Sequence, residues 1–306
     1  MELGGKMKRY LVFDWGGTSL KYAYMSEDGQ IIQKNSVSSP ARSATKEEFY
    51  AILDSVVNQF DDISGIAISS SGVIDSVNGV VDVIGAFPFL NGVCIAKELS
   101  QRYNKKVTIE NDGKCAALAE LWIGNLKDVD DGAVIVIGTN IGCAVILNRK
   151  LRRGKRFLCG ELCACSTDDQ HLNDPYSYAG QHGTPYLCKI MQEKMGLNDK
   201  MDGIEAFNYI NNKDPKALEA LKEYTDSLAM MLFNIHIFLD LEKILIGGGI
   251  SAQPVLLDSL RKSIRDIATY HVDIVKGTYY PLPVIDVCKF HNEANLLGAL
   301  YHFMFE

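Results

Sequence analysis

An acid, two glycines and a threonine interrupt two apolar alternations in "YLVFDWGGTSLKYAYM" (10–25), and this arrangement limits the fold more than anything else in the chain. Walker loops and dinucleotide fingerprints place their glycines between a strand and a helix. Here a third extended run, "IIQKNSVS", follows after the turn residues Asp28-Gly29, so the region reads strand, turn, strand, turn, strand. The glycines therefore sit at a hairpin tip, and neither fingerprint applies. The pattern recurs at 133–158, "AVIVIGTNIGCAVILNRKLRRGKRFL", as strand, glycine-containing turn, strand, polar turn and a third extended segment. Two such hairpins point to a duplicated α/β unit; two unrelated hairpins are the alternative.

Helices separate these regions. Residues 44–60 carry Thr45 and Glu48 at capping-box spacing, with Phe49, Ile52, Leu53, Val56, Val57 and Phe60 as one apolar stripe. Residues 215–241 predict a long helix, apolar nearly all round toward its end and expected to be buried there. It runs into "KILIGGG", a short buried strand. "GIAISSSGVI" (65–74) and "KVTIEND" (106–112) add strands that end in polar residues. Alternating strands and helices imply mixed sheets covered by helices, and 306 residues accommodate two lobes.

Composition excludes several function classes. A net charge of −7 argues against a nucleic-acid partner. The basic run from Arg149 to Arg156 reads as a solvated turn between strands, with an anion site as the alternative. No apolar stretch reaches the roughly 18–20 residues of a membrane span, and the start lacks the apolar core of a signal peptide, so a cytoplasmic protein is expected. Met7 is a candidate alternative start, which would make residues 1–6 a leader. The eight cysteines are read as free thiols.

Four strand ends carry the chemistry expected at the carboxyl edge of an α/β sheet. At the two hairpin tips, Gly16, Gly17, Gly138 and Gly142 let main-chain amides approach an anion, and Thr18 and Thr139 add hydroxyl donors. Asp14 suits a phosphate-bound Mg²⁺ held through water. Lys21 reads as a surface lysine on a hairpin, with an approach to phosphates as the alternative. Gly247, Gly248 and Gly249 precede a helix with Pro254 near its first turn; they would let a flat ligand lie on bare backbone, or simply make a tight turn. Asn111-Asp112 is either a helix cap or a carboxylate that takes a proton from a substrate hydroxyl. The two roles exclude each other only if backbone donors occupy both oxygens.

In order and spacing, "FDWGGTSLK", "IENDGKCAALAE", "GTNIGCAVI", "GELC", "ILIGGGIS" and "NEANLLGAL" resemble the ROK family of sugar kinases and related repressors, within the actin–hexokinase ATPase superfamily. The resemblance spans essentially the whole chain. It implies an α/β fold of two RNase-H-like (actin-like ATPase) lobes, each a mixed β-sheet flanked by helices, with a cleft between. Residues 1–120, joined by a C-terminal helix at 291–306, would form the small lobe and 121–290 the large one. ATP, Mg²⁺ and a sugar are the implied ligands, and a homodimer the implied assembly. By motif, Asp112 matches the general base, Asn111 its sugar-binding neighbour, Glu161 the glutamate near the anomeric carbon, and Gly72 a segment lining the sugar site. The two tips and the triple glycine match the phosphate and adenosine loops. Too few residues precede the first strand for a repressor's helix-turn-helix domain, so the kinase branch is expected.

Departures bear on the acceptor. Ala164 stands where relatives carry a histidine that touches the sugar and joins a zinc site. Cys159, Cys163, Cys165 and His171 lie near it in sequence without the usual cysteine spacing, so structural zinc is not expected, with an unconventional metal site at these residues as the alternative. Phe89 occupies the place of a sugar-contacting asparagine, and Asn91 follows two positions later. The reading is a kinase acting on the primary hydroxyl of a hexose or hexoside, such as glucose or a β-glucoside. An N-acyl-hexosamine kinase and a catalytically silent sensor are the alternatives.

Overall fold

The computed structural model describes residues 7–168, 170–274 and 280–306, so the leader expected over residues 1–6 lies outside the described residues. The chain divides into two compact units. One comprises Met1–Gly124, Arg153–Cys159 and Asn292–Glu306, the other Asn125–Arg152 and Gly160–His291.

In the first unit, β1 (Arg9–Trp15), β2 (Ser19–Ser26) and β3 (Ile31–Ser38) form the antiparallel series read from the sequence. Helix α1 (Lys46–Val57) starts at the Thr45–Glu48 capping box and buries Phe49, Leu53, Val56 and Val57. The run read as one strand at 65–74 is two, β4 (Gly65–Ser70) and β5 (Val73–Asp75). They are split because Gly72 takes φ +100°. Strand β5 pairs with β6 (Val80–Val83), which pairs with β7 (Val93–Cys94) in a small separate sheet. Helix α2 (Ile95–Tyr103) leads to β8 (Val107–Asn111) and α3 (Asp112–Ile123). The main sheet has the order β3-β2-β1-β4-β8, with β1, β4 and β8 parallel.

The second unit repeats this order. Strands β9 (Gly132–Ile137), β10 (Ile141–Leu147) and β11 (Lys150–Leu151) form the hairpin series. Helices α4 (Thr184–Met195), α5 (Gly203–Asn211) and α6 (Pro215–Leu239) precede β12 (Lys243–Gly247). Helix α7 (Pro254–Ile274) and β13 (Val284–Val287) follow. The sheet order β11-β10-β9-β12-β13, with β9, β12 and β13 parallel, matches that of the first unit, so the two hairpins are equivalent parts of a duplicated topology. The chain ends in α8 (Ala294–Phe305), which packs on α3 in the first unit.

Two expectations need correction. The end of α6 is buried on one side only: Met230 is 49% exposed, Ile237 46% and Phe238 86%. Leu228, Ala229, Met231, Leu232, Phe233 and His236 are buried and Ile235 and Leu239 pack against the core, while Met230, Ile237 and Phe238 form an apolar face left uncovered in a single chain. The basic run is not a solvated turn throughout, and its third extended segment shrinks to the two residues of β11. Beyond it Arg153 belongs to the first unit, where its Nε donates to Glu110 Oε2 at 2.6 Å and its guanidinium also pairs with Glu306. Glu110 is fully buried, and a buried carboxylate demands such a partner.

Among the described residues, Glu110, His302 and Glu306 form the one group of three potential metal ligands with converging atoms, and the Arg153 guanidinium is bonded to both of its carboxylates.

Burial alone would raise the Glu306 carboxyl, but hydrogen bonding to His302 and the charge of Arg153 outweigh it and hold the group below the usual glutamate range. A folded value below the unfolded one, about 4.3, stabilises the fold fully above that pH. The contribution is lost as pH falls through the folded value. Glu306→Gln should therefore melt below wild type at pH 7 by the equivalent of about 1–3 kcal/mol. The gap should close toward about pH 3 in thermal melts; a pH-independent gap would exclude the ion pair as its source.

Candidate active site

In the first unit the site begins where β1 ends. Asp14 is nearly buried, and its Oδ1 accepts from Ser69 Oγ at the end of β4 and from Asn295 Nδ2 in the first turn of α8, both at 3.1 Å. Its Oδ2 lies 3.6 Å from Lys21 Nζ, which β1–β2 register sets directly across the ladder. Lys21 is thus half-exposed, as expected of a hairpin lysine, but it faces the acid rather than solvent alone. The tip that follows is braced by Ser39, whose Oγ donates to Gly16 O at 2.6 Å and whose N–H donates to Thr18 O at 3.1 Å. Gly17 lies between these anchored residues.

Of the Asn111-Asp112 pair, the helix cap is Asn111. Asn111 is the N-cap of α3: its Oδ1 accepts from Lys114 N at 3.1 Å. Its Nδ2 donates to Gly72 O at 2.9 Å, which draws the Gly72 turn against the helix start. Gly72 must be glycine, because its φ is positive and a Cβ would lie 2.2 Å from Val83 O. Asp112 is the first helical residue, half-buried, and its Oδ1 accepts from Gly113 N at 2.8 Å. With Asn111 serving as the cap, the helix does not depend on the Asp112 carboxylate to begin. Burial, then the charges of Glu110, Asp112 and Asp14, push the nearby Cys115 thiol well up, so it stays neutral and takes no nucleophilic part.

Phe89 packs its ring against Phe49 and Phe87, at 5.8 and 6.0 Å between centroids. The Asn91 carbonyl is engaged by Ile84 N at 2.8 Å, so this side chain braces its own loop.

In the second unit, β9 and β10 meet at a tip in which Gly138 N donates to Asn140 O at 3.0 Å. Thr184 N, at the start of α4, donates to Gly138 O at 2.8 Å. Gly142 lies inside β10 opposite Val136, away from the tip itself. Gly247 closes β12, and Gly248 turns the chain with φ +96°; a Cβ there would stand 2.0 Å from Ile137 O. Gly249 begins a short 3₁₀ turn. A pocket of about 380 Å³ opens here, lined by Ile137, Gly138, Thr139 and Gly249, and by Thr184, Pro185, Cys188, Met201, Asp202 and Gly203. The last six were not read as site residues. Their signals were present: Pro185 follows Gly183-Thr184 at one helix start, and Asp202 caps another, accepting from Glu205 N at 2.9 Å.

Glu161 follows Gly160 and receives the Cys163 thiol at 3.7 Å from its Oε2. Burial and then Glu161 raise the Cys163 thiol, which stays protonated. Ala164 is exposed. His171 pairs with Asp168 at 2.7 Å on the surface. His182 is buried, with its two ring nitrogens on Ser227 Oγ and Tyr176 O, and burial lowers its pKa. Both histidines therefore have structural partners of their own.

Asp14 fits the magnesium role. It offers a hard oxygen at a strand end beside a glycine tip, with one oxygen oriented by neutral donors and the other facing the half-exposed Lys21 ammonium.

This combination of duplicated β-hairpin sheets and glycine-rich strand ends defines the actin-like ATPase class of fold. A family model described as the ROK family matches residues 10–304. A β-glucoside kinase of Listeria monocytogenes serovar 1/2a is 29% identical over 297 residues, covering 96% of this chain and 97% of that protein. A glucokinase of Thermotoga maritima is 28% identical over 315 residues, covering 94% of each. A solved ROK family protein from Streptococcus pneumoniae TIGR4, in complex with sucrose, superposes with a TM-score of 0.85 at 31% identity, over 97% of this chain and 98% of that one. The chain belongs to the ROK family, and its catalytic class is that of an ATP-dependent carbohydrate kinase.

Proposed function

We propose that the chain transfers the γ-phosphate of ATP to the primary hydroxyl of a hexose that carries a substituent at C1, a β-glucoside being the first candidate. The observation that carries the catalytic part is the division of labour at α3: Asn111 caps the helix, so the Asp112 carboxylate is not needed to start it. The second amide hydrogen of Asn111, with no protein partner among the described residues, suits a sugar hydroxyl.

In this reading Asp112 accepts the hydroxyl proton as the sugar oxygen attacks phosphorus, and Glu161 and the Gly72 turn orient the ring. The amides of Gly16 to Thr18 and of Gly138 to Asn140 are donors for phosphate oxygens. The pocket of the second unit, with Gly249 of the triple glycine in its lining, receives the nucleoside. Asp14 would hold Mg²⁺ through water, and the ion supplies neutralisation of phosphate charge. Phosphoryl transfer asks little else of the protein than positioning and charge balance.

The C1 preference rests on Phe89 and Ala164. An aromatic face fixed by Phe49 and Phe87 and a methyl in place of an imidazole both favour an apolar or bulky aglycone over a free anomeric hydroxyl. The β-glucoside kinase relative and the sucrose-bound neighbour, each associated with a C1-linked sugar, support it. For the assembly we propose a homodimer, with the uncovered face of Met230, Ile237 and Phe238 as the surface shared by two copies.

Asp112→Asn should retain its thermal stability and sugar binding and lose about 10²–10⁴-fold in turnover, the usual share of general-base catalysis; near-normal turnover would remove Asp112 from the role. In a coupled ADP-release assay, kcat/KM should be higher for cellobiose and aryl β-glucosides than for glucose or N-acetylmannosamine. Indifference to the C1 group, or a requirement for a C2 acetamide, would refute the acceptor assignment. Phe238→Glu should yield a monomer in light scattering where wild type is a dimer, and a monomeric wild type would dismiss the assembly.

A further inference from the structure

Asp14 treats its two oxygens differently. Oδ1 is held at 3.1 Å by two neutral donors anchored in β4 and α8, which fixes the plane of the carboxylate. Oδ2 faces the Lys21 ammonium at 3.6 Å, inside ion-pair range but beyond a normal hydrogen bond. The carboxylate is 10% exposed and the lysine side chain 44% exposed, so a fixed acid is matched with a cation that is only loosely held. Lysine is a point charge on a flexible four-carbon stem. The root of Lys21 is set in β2 directly across from Asp14, one pair inward from the ladder's last pair at Trp15 and Leu20, so its stem starts close to both Asp14 and the Gly16–Thr18 tip.

We propose that Lys21 is the resident counter-ion of Asp14 when nucleotide is absent, and that it transfers its charge to the phosphate chain when a magnesium nucleotide engages Asp14. The inference rests on the reading of Asp14 as the magnesium-side carboxylate. A divalent ion and an ammonium compete for the same oxygen, and a triphosphate bearing one divalent ion remains anionic, so the displaced ammonium has a new partner at hand. The pairing keeps a nearly buried carboxylate compensated in the empty protein without a bound metal.

Two effects of opposite sign follow. Lys21→Met removes the competitor, so Mn²⁺ titrated into nucleotide-free protein and followed by electron paramagnetic resonance should bind about 10-fold more tightly. The same substitution removes a phosphate partner, so calorimetric titration with MgADP should show binding about 10- to 100-fold weaker. Lys127→Met, which removes an equal charge from an exposed site, should move neither. An unchanged Mn²⁺ affinity or an unchanged MgADP affinity in Lys21→Met overturns the proposal. Asp14→Asn separates it from the reading beneath it: Mn²⁺ binding lost there but unaltered in Lys21→Met overturns the counter-ion role alone, whereas no change in either variant overturns the magnesium assignment as well.

Discussion

Helix α8 lies on α3 at a separation that only glycine permits, since a Cβ on Gly298 would stand 1.7 Å from the Cys115 carbonyl oxygen. Much of the first unit's chemistry hangs on that crossing. Asn295, nearly one turn before Gly298, meets Asp14, while His302 and Glu306, one and two turns beyond it, meet each other and Arg153. The helix that α8 grips starts with Asp112. Close-packed interiors transmit such displacements rather than absorb them, so a larger residue at 298 would disturb the Asp14 carboxylate and the start of α3 together.

The charges in this unit are arranged so that few are left without compensation. Glu110, fully buried, receives Arg153 and the Asn111 amide, the latter at 2.8 Å. Lys114 is 1% exposed and donates to Phe157 O at 2.6 Å. Phe157 itself has φ +59°, a conformation that costs a non-glycine residue energy and persists where neighbours hold it. Arg153 and Lys114 thus anchor the segment Arg153–Cys159 from both directions, one from the segment outward and one onto its backbone. With the thiols of Cys115 and Cys163 held neutral by burial and nearby carboxylates, the functional groups available are oxygens, amides and ammonium groups, which is the inventory phosphoryl transfer uses.

The parts of this fold that could be read along the chain are those whose signals are local. The hairpin tips, the Thr45–Glu48 box, the Asn111 cap and Pro254 at the head of α7 each depend on residues within a few positions of one another. Spacing of that kind is governed by backbone geometry, which the sequence displays directly. The order of landmarks added the family and hence the class of reaction. Less legible were the pocket-lining residues from α4 and α5, because two helix starts well apart in the chain meet only after folding.

Arg153 shows the limit most clearly. Its partners lie 43 residues earlier and 153 residues later, and no periodicity in a basic run reveals which of its charges will be drawn inward. The α6 face failed for a related reason: hydropathy tells which side chains avoid water, but not whether a sheet or a second molecule covers them. Lys21 could be assigned to a hairpin, yet its pairing with Asp14 follows from ladder register. Local residue chemistry therefore accounts for the strands, caps, tips and candidate carboxylates. Long-range packing chose their partners, because contact energies depend on which surfaces meet in space and not on how far apart they stand in the chain.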